Sequence, residues 1–401
     1  MESDDVAADV YAESADVAWQ RFSVPFEFPV VFTDGLFAPS NRTLLNTLRL
    51  REPDKIHKCL VFVDEGALAA RPSLCDEIVA YAEAHVDGMS LVAPPMVVAG
   101  GERIKTELTH LEQMQDRIHE TRIDRHSYVI AIGGGAVLDA AGLAAATAHR
   151  GVRHIRVPTT VLSQNDSGVG VKNAVNLKGV KNYVGTFAPP FAVLNDYDFI
   201  RALPERERIA GVAEAVKVAL IRDPVFFEWL EANADALATF DAEAERYMIR
   251  RCAALHMRQI GTGGDPFEMG SARPLDYGHW SAHKLEALTR HHVRHGEAVA
   301  IGVALDARYS VLAGLLPEGD DERVASLLEH IGFRIWHPAL ERRNAQGENL
   351  ILTGLEEFRE HLGGELTITL LAGLGTGVEV NEMNADHVAA SIAWLKEREG
   401  V

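Results

Sequence analysis

The stretch YVIAIGGGAVLDAAG (residues 128–142) decides the fold. An apolar, β-favouring run enters three glycines, and the glycines enter a segment patterned as a helix. Glycines at such a turn let the backbone approach a phosphate. The helix N-terminus behind them adds N–H donors and the positive end of its dipole. Gly133, Gly134 and Gly135 form the turn, and Asp139 lies one turn into the helix. The spacing is not GxGxxG, and taken alone such a turn serves structure as readily as it serves a nucleotide.

The same grammar repeats on either side. FPVVF (28–32), CLVFVDEG (59–66), SLVAPPMVVAGG (90–101), HIRVPTT (154–160) and FAVLND (191–196) read as strands ending in loops. Residues 72–86, 105–121 and 136–149 carry helical patterning between them. Strands alternating with helices predict an α/β, Rossmann-like, mostly parallel sheet covered on both faces. Ligands on such sheets bind beyond the carboxyl ends of the strands. From about residue 204 the pattern turns helical, with a weaker strand signal at LTITLL (366–371). LPERER (203–208) is the expected junction, giving a nucleotide-binding domain over 1–203 and a mainly α-helical domain over 204–401.

Composition narrows the function. A chain of 401 residues exceeds one ordinary core and is expected to divide in two. The net charge of −19 argues against nucleic acid or an anionic membrane as the main partner. It leaves room for an anionic small molecule held by locally clustered lysines. Cys59, Cys75 and Cys252 are scattered and odd in number, and read as reduced thiols of a cytoplasmic protein. The opening MESDDVAADVYAESADVA reads as acidic and frayed or loosely helical, not as a signal peptide. No 18-residue apolar run predicts a membrane span.

Chemistry gathers in the middle. Glu214 in AGVAEAVKVA, His279 in LDYGHWSAHK and His295 in RHGEAVAIG offer one carboxylate and two imidazoles, a set suited to Zn²⁺ with an open fourth position. Glu214 and Lys217 are three apart, and His279 and His283 four apart, so each pair shares a helix face. Spacing cannot join Glu214 to the two histidines as a local motif would. AGGERIKTE (99–107) puts Glu102 and Lys105 past a strand end, where a carboxylate can take ribose hydroxyls. Asp64 ends another strand and is equally a ribose ligand or a helix cap. Thr159 and Thr160 end a third.

The run QNDSGVGVKNAVNLKGVKNYVG (164–185) reads as a long loop with little structure of its own. Lys172, Lys178 and Lys181, with Asn173, Asn176 and Asn182, offer donors for a phosphate or a polyol; a solvated surface loop is the plainer alternative. Asp166 is a cap or a binder of sugar hydroxyls.

These stretches together resemble one family. GGGAVLDAAGLAAATAHRGVRHIRVPTTVLSQNDSGVGVKNAVN followed by GVKNYVG is similar to the core of the 3-dehydroquinate synthase family, the sugar phosphate cyclases. GVAEAVKVALI resembles its metal-glutamate helix, and RPLDYGHWSAHKLE and RHGEAVAIG resemble its two metal-histidine segments. The likeness runs over roughly 95–305 and loosens towards both ends. It implies Zn²⁺ (or Co²⁺) on Glu214, His279 and His295. It implies NAD⁺ on Asp64, Glu102, Lys105, Gly134, Gly135, Asp139, Thr159, Thr160, Lys181 and Phe199. For the substrate and its phosphate it implies Arg150, Asp166, Lys172, Asn182, Lys217 and His283, with Asp276 and Glu268 in the same catalytic set. The resemblance further implies a homodimer in which Arg150 reaches the neighbouring subunit's site. The implied reaction oxidises a ring hydroxyl, eliminates phosphate, reduces the ketone back and closes a carbocycle by intramolecular aldol addition.

Departures bear on the substrate. Asp276 stands where 3-dehydroquinate synthases proper have the Asn of LNxGH, which helps hold a substrate carboxylate. Two carboxylates side by side cost free energy unless one is protonated, whereas Asp276 accepts well from hydroxyls. Arg273 is displaced by one residue from the family's carboxylate-binding arginine. Either His256 or Arg258 replaces an upstream lysine. The C-terminal lysine has no clear counterpart near HLGGELTITLL (361–371), and Val171 and Asn173 reshape the lysine loop. These changes favour a neutral-headed keto-sugar phosphate such as sedoheptulose 7-phosphate. Valiolone-forming cyclases share the Asp but often carry Pro where this chain keeps His283. The rival readings are 3-dehydroquinate synthase proper, a polyol dehydrogenase of the glycerol dehydrogenase type, and a silent binding protein. Phosphate release without net NADH separates the cyclases from the dehydrogenase.

Overall fold

The computed structural model describes residues 20, 22–178, 180–263, 265–267, 274–361 and 366–400. The acidic opening over 1–19, Glu268 and Arg273 therefore lie outside the described residues.

Seven strands form one parallel sheet: β1 (Val30–Thr33), β2 (His57–Asp64), β3 (Met89–Leu91), β4 (Met96–Val98), β5 (Tyr128–Gly133), β6 (Arg153–Pro158) and β9 (Ala192–Asp196). Their order is β1-β9-β6-β5-β2-β3, with β4 also on β2. The stretch expected as one strand over 90–101 is two. His57–Cys59 of β2 pairs with Met89–Leu91, and Phe62–Asp64 pairs with Met96–Val98. Pro94 and Pro95 lie between; neither can donate to the ladder, so the pairing breaks there and resumes on the same edge.

Side-chain alternation splits the sheet's contacts as a period of two requires. Val61, Val63, Ile130 and Ile132 enter the core on one face. Leu60, Phe62, Val129 and Ala131 enter the core on the other, with Val137, Leu138 and Ala141 of the helix Gly135–Thr147. The central strands β2 and β5 are buried on both faces along most of their length, which is why CLVFV and YVIAI read as unbroken apolar runs.

After β9 the chain is mainly helical. Val212–Arg222, Ala242–Thr262, His279–Leu288 and His295–Leu312 pack around a third core containing Val216, Leu220, Met248, Trp280, Leu285 and Val303. The strand signal at 366–371 is β10 (Ile368–Gly373), paired antiparallel with β11 (Thr376–Val380). No helix among the described residues is long and apolar enough to cross a membrane. All three cysteines are free, Cys59 and Cys252 buried.

The polar run corrects an expectation. It is not a loop but a short helix, Val161–Asn165, then a turn, then an antiparallel hairpin of β7 (Lys172–Leu177) and β8 (Val180–Phe187). Its order comes from Arg156 on β6, a fully buried side chain. Arg156 Nη1 donates to Gly168 O (3.1 Å) and Gly170 O (2.9 Å), and Nη2 to Lys172 O (2.7 Å) and Asn173 Oδ1 (2.8 Å). One guanidinium thus replaces the backbone pairing that this segment lacks.

Candidate active site

The helix Val212–Arg222 starts at Gly211 and puts Glu214 in its first turn, wholly buried. His279 opens one later helix and His295 opens the next. Glu214 Oε1 stands 3.6 Å from His279 Nε2 and 3.4 Å from His295 Nε2. The three ligand atoms lie within 4.8 Å of one another. Ligands tetrahedral about Zn²⁺ at roughly 2.0–2.2 Å stand about 3.4 Å apart, so the spacing fits a shared cation. The remaining ring nitrogens point away from Glu214. His279 Nδ1 meets Tyr277 O at 3.0 Å and His295 Nδ1 meets Glu286 Oε2 at 3.1 Å. Both partners are acceptors, so each Nδ1 carries the hydrogen and each Nε2 presents a lone pair when the ring is neutral. Neither oxygen of Glu214 has a well-formed hydrogen bond, although the Lys217 ammonium touches it. The donor set fits a divalent metal.

Backbone contact fixes how far apart the histidines stand. Gly278 has φ +77°, and a Cβ on it would meet Val303 N at 2.8 Å. A Cβ on Gly302 would lie 2.0 Å from Gly278 O, and one on Gly296 would lie 2.1 Å from Ala210 O. The two histidine helices therefore touch at glycine, and the second also abuts the approach to the glutamate helix. Asp306, buried on the second helix, accepts from Gly278 N (3.1 Å) and Trp280 Nε1 (2.9 Å), gripping both residues that flank His279.

Around this centre lies an ionic network. Lys217 contacts Glu214 and stands 3.7 Å from Asp166 Oδ2. Burial alone would lower the Lys217 pKa, but the Glu214 and Asp166 carboxylates raise it. Burial raises Glu214, and Lys217 overrides it, leaving that carboxyl at about 2. Of the two candidates for the upstream lysine's place, His256 is the one that lies inside the site. It is buried, with Nε2 3.1 Å from Asp166 Oδ1 and Nδ1 3.1 Å from Cys252 O, while Arg258 is exposed. Burial opposes a charge on His256; Asp166 outweighs it and lifts the imidazole well above its ordinary range. Asp166, Glu214 and His256 could themselves enclose a cation, but the Lys217 ammonium already serves those carboxylates. Burial and the Lys217 charge lower the His279 pKa; Asp276 lies near enough to oppose that shift and to add to the rise of Lys217. His283 packs edge-on to His279, ring centroids 5.3 Å apart, and burial keeps it well below its ordinary pKa.

The strand ends build a second centre. Asp64 caps the helix after β2 through Gly66 N (2.7 Å) and also accepts from Gly134 N (3.3 Å), so the cap and the glycine turn share one carboxylate. A Cβ on Gly135 would meet Ser167 Oγ at 2.6 Å. Thr159 N donates to Gly133 O (3.0 Å), and Thr160 caps the next helix through Ser163 N. Lys105 is buried, with Nζ 2.7 Å from Asp139 Oδ2 and 2.5 Å from Asn182 Oδ1. Glu102 Oε2 accepts from Asn176 Nδ2 (3.1 Å).

Some expected residues go elsewhere. Lys181 does not join Lys105: its Nζ pairs with Glu286 at 3.2 Å, on the metal side. Asn182 sits beside Lys105 instead. Phe199 is packed in the sheet core under the Arg71 guanidinium. Arg150 is exposed beyond the helix Gly135–Thr147, at the edge of the sheet where the strands begin. Lys172 is exposed at the start of β7. Glu286, Arg156 and Asp306 were not singled out from sequence. Only Glu286 left a trace, three residues after His283 and so on its helix face.

Residues 95–210 match the family model for the 3-dehydroquinate synthase N-terminal region, and residues 211–351 match that for its C-terminal region. The chain is 42% identical over 283 residues to the 3-dehydroquinate synthase of Halorhodospira halophila, covering 70% of this chain and 77% of that one. It is 32% identical over 374 residues to that of Rhizobium etli, covering 92% and 94%. Among solved structures, the 2-epi-5-epi-valiolone synthase of Streptomyces hygroscopicus subsp. jinggangensis 5008, with NAD⁺ and Zn²⁺ bound, is similar over 95% of this chain and all of that one. That pair has a TM-score of 0.82 and 26% identity.

Proposed function

The chain belongs to the 3-dehydroquinate synthase family, and from that premise we propose an NAD- and divalent-metal-dependent sugar phosphate cyclase acting on a neutral-headed keto-sugar phosphate such as sedoheptulose 7-phosphate. Residues 1–203 serve as its nucleotide domain and 204–401 as its metal and substrate domain. Glu214, His279 and His295 hold the Zn²⁺ (or Co²⁺), while Asp64, Glu102, Lys105, Gly134, Gly135, Asp139, Thr159 and Thr160 frame NAD⁺. When bound, NAD⁺ takes up and returns a hydride and the metal polarises the reacting oxygens.

The chain's own groups do the rest. Lys217, held charged between Glu214 and Asp166, donates to substrate oxygens. His283, kept neutral by burial, can take or give a proton near the metal ligands. Asn182 has its Oδ1 engaged by Lys105, so its amide nitrogen is the atom assigned to the phosphate, together with Lys172. Arg150, exposed just before β6 and so at the opposite end of the sheet from the glycine turn, is assigned to the site of a second subunit in a homodimer.

The observation that carries the substrate class is Asp276, near enough for its charge to act on Lys217 beside those of Glu214 and Asp166. Carboxylates gathered round one ammonium accept well from hydroxyls and oppose a further carboxylate from the substrate. A heptulosonate substrate, as in 3-dehydroquinate synthase proper, is the second reading, favoured by the 42% identical relative. Phosphate release from sedoheptulose 7-phosphate and from 3-deoxy-arabino-heptulosonate 7-phosphate, each with and without NAD⁺, distinguishes them. NAD-dependent release from the first without net NADH is expected. Release from the heptulosonate alone overturns the reading of Asp276.

A further inference from the structure

Building on the metal site just proposed, we propose that Glu286 is a positioning residue for His295, and that Lys181 anchors Glu286 to it from the β8 hairpin. Glu286 is buried, and its carboxylate serves both His295 and Lys181. Oε2 accepts from His295 Nδ1 at 3.1 Å; Lys181 Nζ lies 3.2 Å from Oε1 and 3.3 Å from Oε2. The opposite ring nitrogen, His295 Nε2, is the one aimed at Glu214. A carboxylate on the far nitrogen fixes the tautomer and the ring plane and makes the near nitrogen a stronger ligand. Among the described residues His279 has the Tyr277 carbonyl in the corresponding place, so the two imidazoles are unequal ligands.

Lys181 gives the arrangement its reach. β8 is irregular here, with Asn182 at φ +56° and the pairing with β7 shifted, and the neighbouring side chains Lys181 and Asn182 go to different partners. Lys181 turns to Glu286 and the metal side. Asn182 turns to Lys105, which holds Asp139 behind the glycine turn. Lys181 therefore reaches the metal centre through Glu286.

The test is Zn²⁺ affinity, measured by competition with a chromophoric chelator, on full-length wild-type protein, Glu286→Gln, Glu286→Asp, Lys181→Met and His279→Ala. The electronic spectrum of each Co²⁺ form and the melting temperature of each metal-free form are recorded alongside. Loss of an outer partner of a metal-bound histidine typically costs 10–100-fold in affinity. Glu286→Gln is expected in that range with a changed Co²⁺ spectrum, and Glu286→Asp between it and wild type. Lys181→Met is expected to weaken Zn²⁺ several-fold while NAD⁺ affinity holds. Should Glu286→Gln fail to fold, Lys181→Met decides, because that lysine is partly exposed. Wild-type Zn²⁺ affinity and Co²⁺ spectra in the Glu286 and Lys181 variants overturn the inference, provided His279→Ala has lost the metal. Lost NAD⁺ affinity with unchanged Zn²⁺ affinity in Lys181→Met overturns the part played by Lys181. Retention of metal by His279→Ala refutes instead the metal site on which the inference rests.

Discussion

Replacing Arg156 with methionine tests whether one buried cation organises the segment that carries Asp166 and Lys172. Methionine fills much of the same space and supplies no donor. The change orphans two acceptors in buried surroundings, Gly168 O and Asn173 Oδ1, and weakens the hold on Gly170 O and Lys172 O. An unsatisfied buried acceptor costs about 1–3 kcal/mol, giving about 2–6 kcal/mol for the pair. Against that stands the desolvation of the guanidinium, which among the described residues has no carboxylate in contact and whose pKa burial pushes down to about 10. That relief trims the upper end, and a net loss of about 3 kcal/mol is expected. At about 2 °C per kcal/mol for a chain of this size, the melting temperature should fall by about 6 °C. Phosphate release should fall at least about tenfold, equivalent to 1.4 kcal/mol, as Lys172 and Asp166 lose their register. Arg156→Lys keeps the charge but cannot reach the glycine carbonyls and the Lys172–Asn173 side together, so it should fall between. Thermal unfolding followed by circular dichroism, with a phosphate-release assay, gives both numbers. An Arg156→Met protein that melts within 1 °C of wild type and turns over normally would refute the reasoning.

Two further perturbations probe other parts of the site. Asp306 is buried, and burial pushes its carboxyl up to about 7 despite its bonds from Trp280 and Gly278. Between an unfolded pKa near 4 and that value, the native state holds a proton that the unfolded state has released. Wild-type stability should therefore fall relative to Asp306→Asn as pH rises from about 4 to 7, by up to about 1.4 kcal/mol per unit, and level off above. Denaturant unfolding at several pH values measures the difference, and a pH-independent difference contradicts the assignment. Lys105→Met removes the ammonium shared by Asp139 and Asn182; calorimetric titration should show NAD⁺ affinity reduced about tenfold, or 1.4 kcal/mol, and an unchanged dissociation constant rejects Lys105 as part of the nucleotide centre.

Local features were the legible ones. The strand–glycine–helix passage at 128–142 states its own structure, because apolar periodicity and the turn glycines act within a few residues. The metal trio could be named but not assembled, since Glu214 and His279 are 65 positions apart and only packed helices bring them together. The hairpin of β7 and β8 escaped because its order comes from Arg156, on a different strand. A lysine in a polar stretch reads as a nucleotide or phosphate ligand, yet Lys181 answers to Glu286, more than a hundred residues later. Glu286 and Asp306 were invisible as polar residues in helical patterns, where a solvated face is the default reading.

The glycine contact between the two histidine helices has a consequence for metal choice. With Gly302 seated on the carbonyl of Gly278, and Gly296 on that of Ala210, the histidine backbones have no slack to spread or close. An ion of another radius must then be met by the one ligand on a longer, more supple stem, the Glu214 carboxylate. A larger divalent ion would be absorbed by a swing of that acid, while the imidazole frame stays as the main chain has set it; Zn²⁺ and Co²⁺, nearly equal in size, would exchange without it.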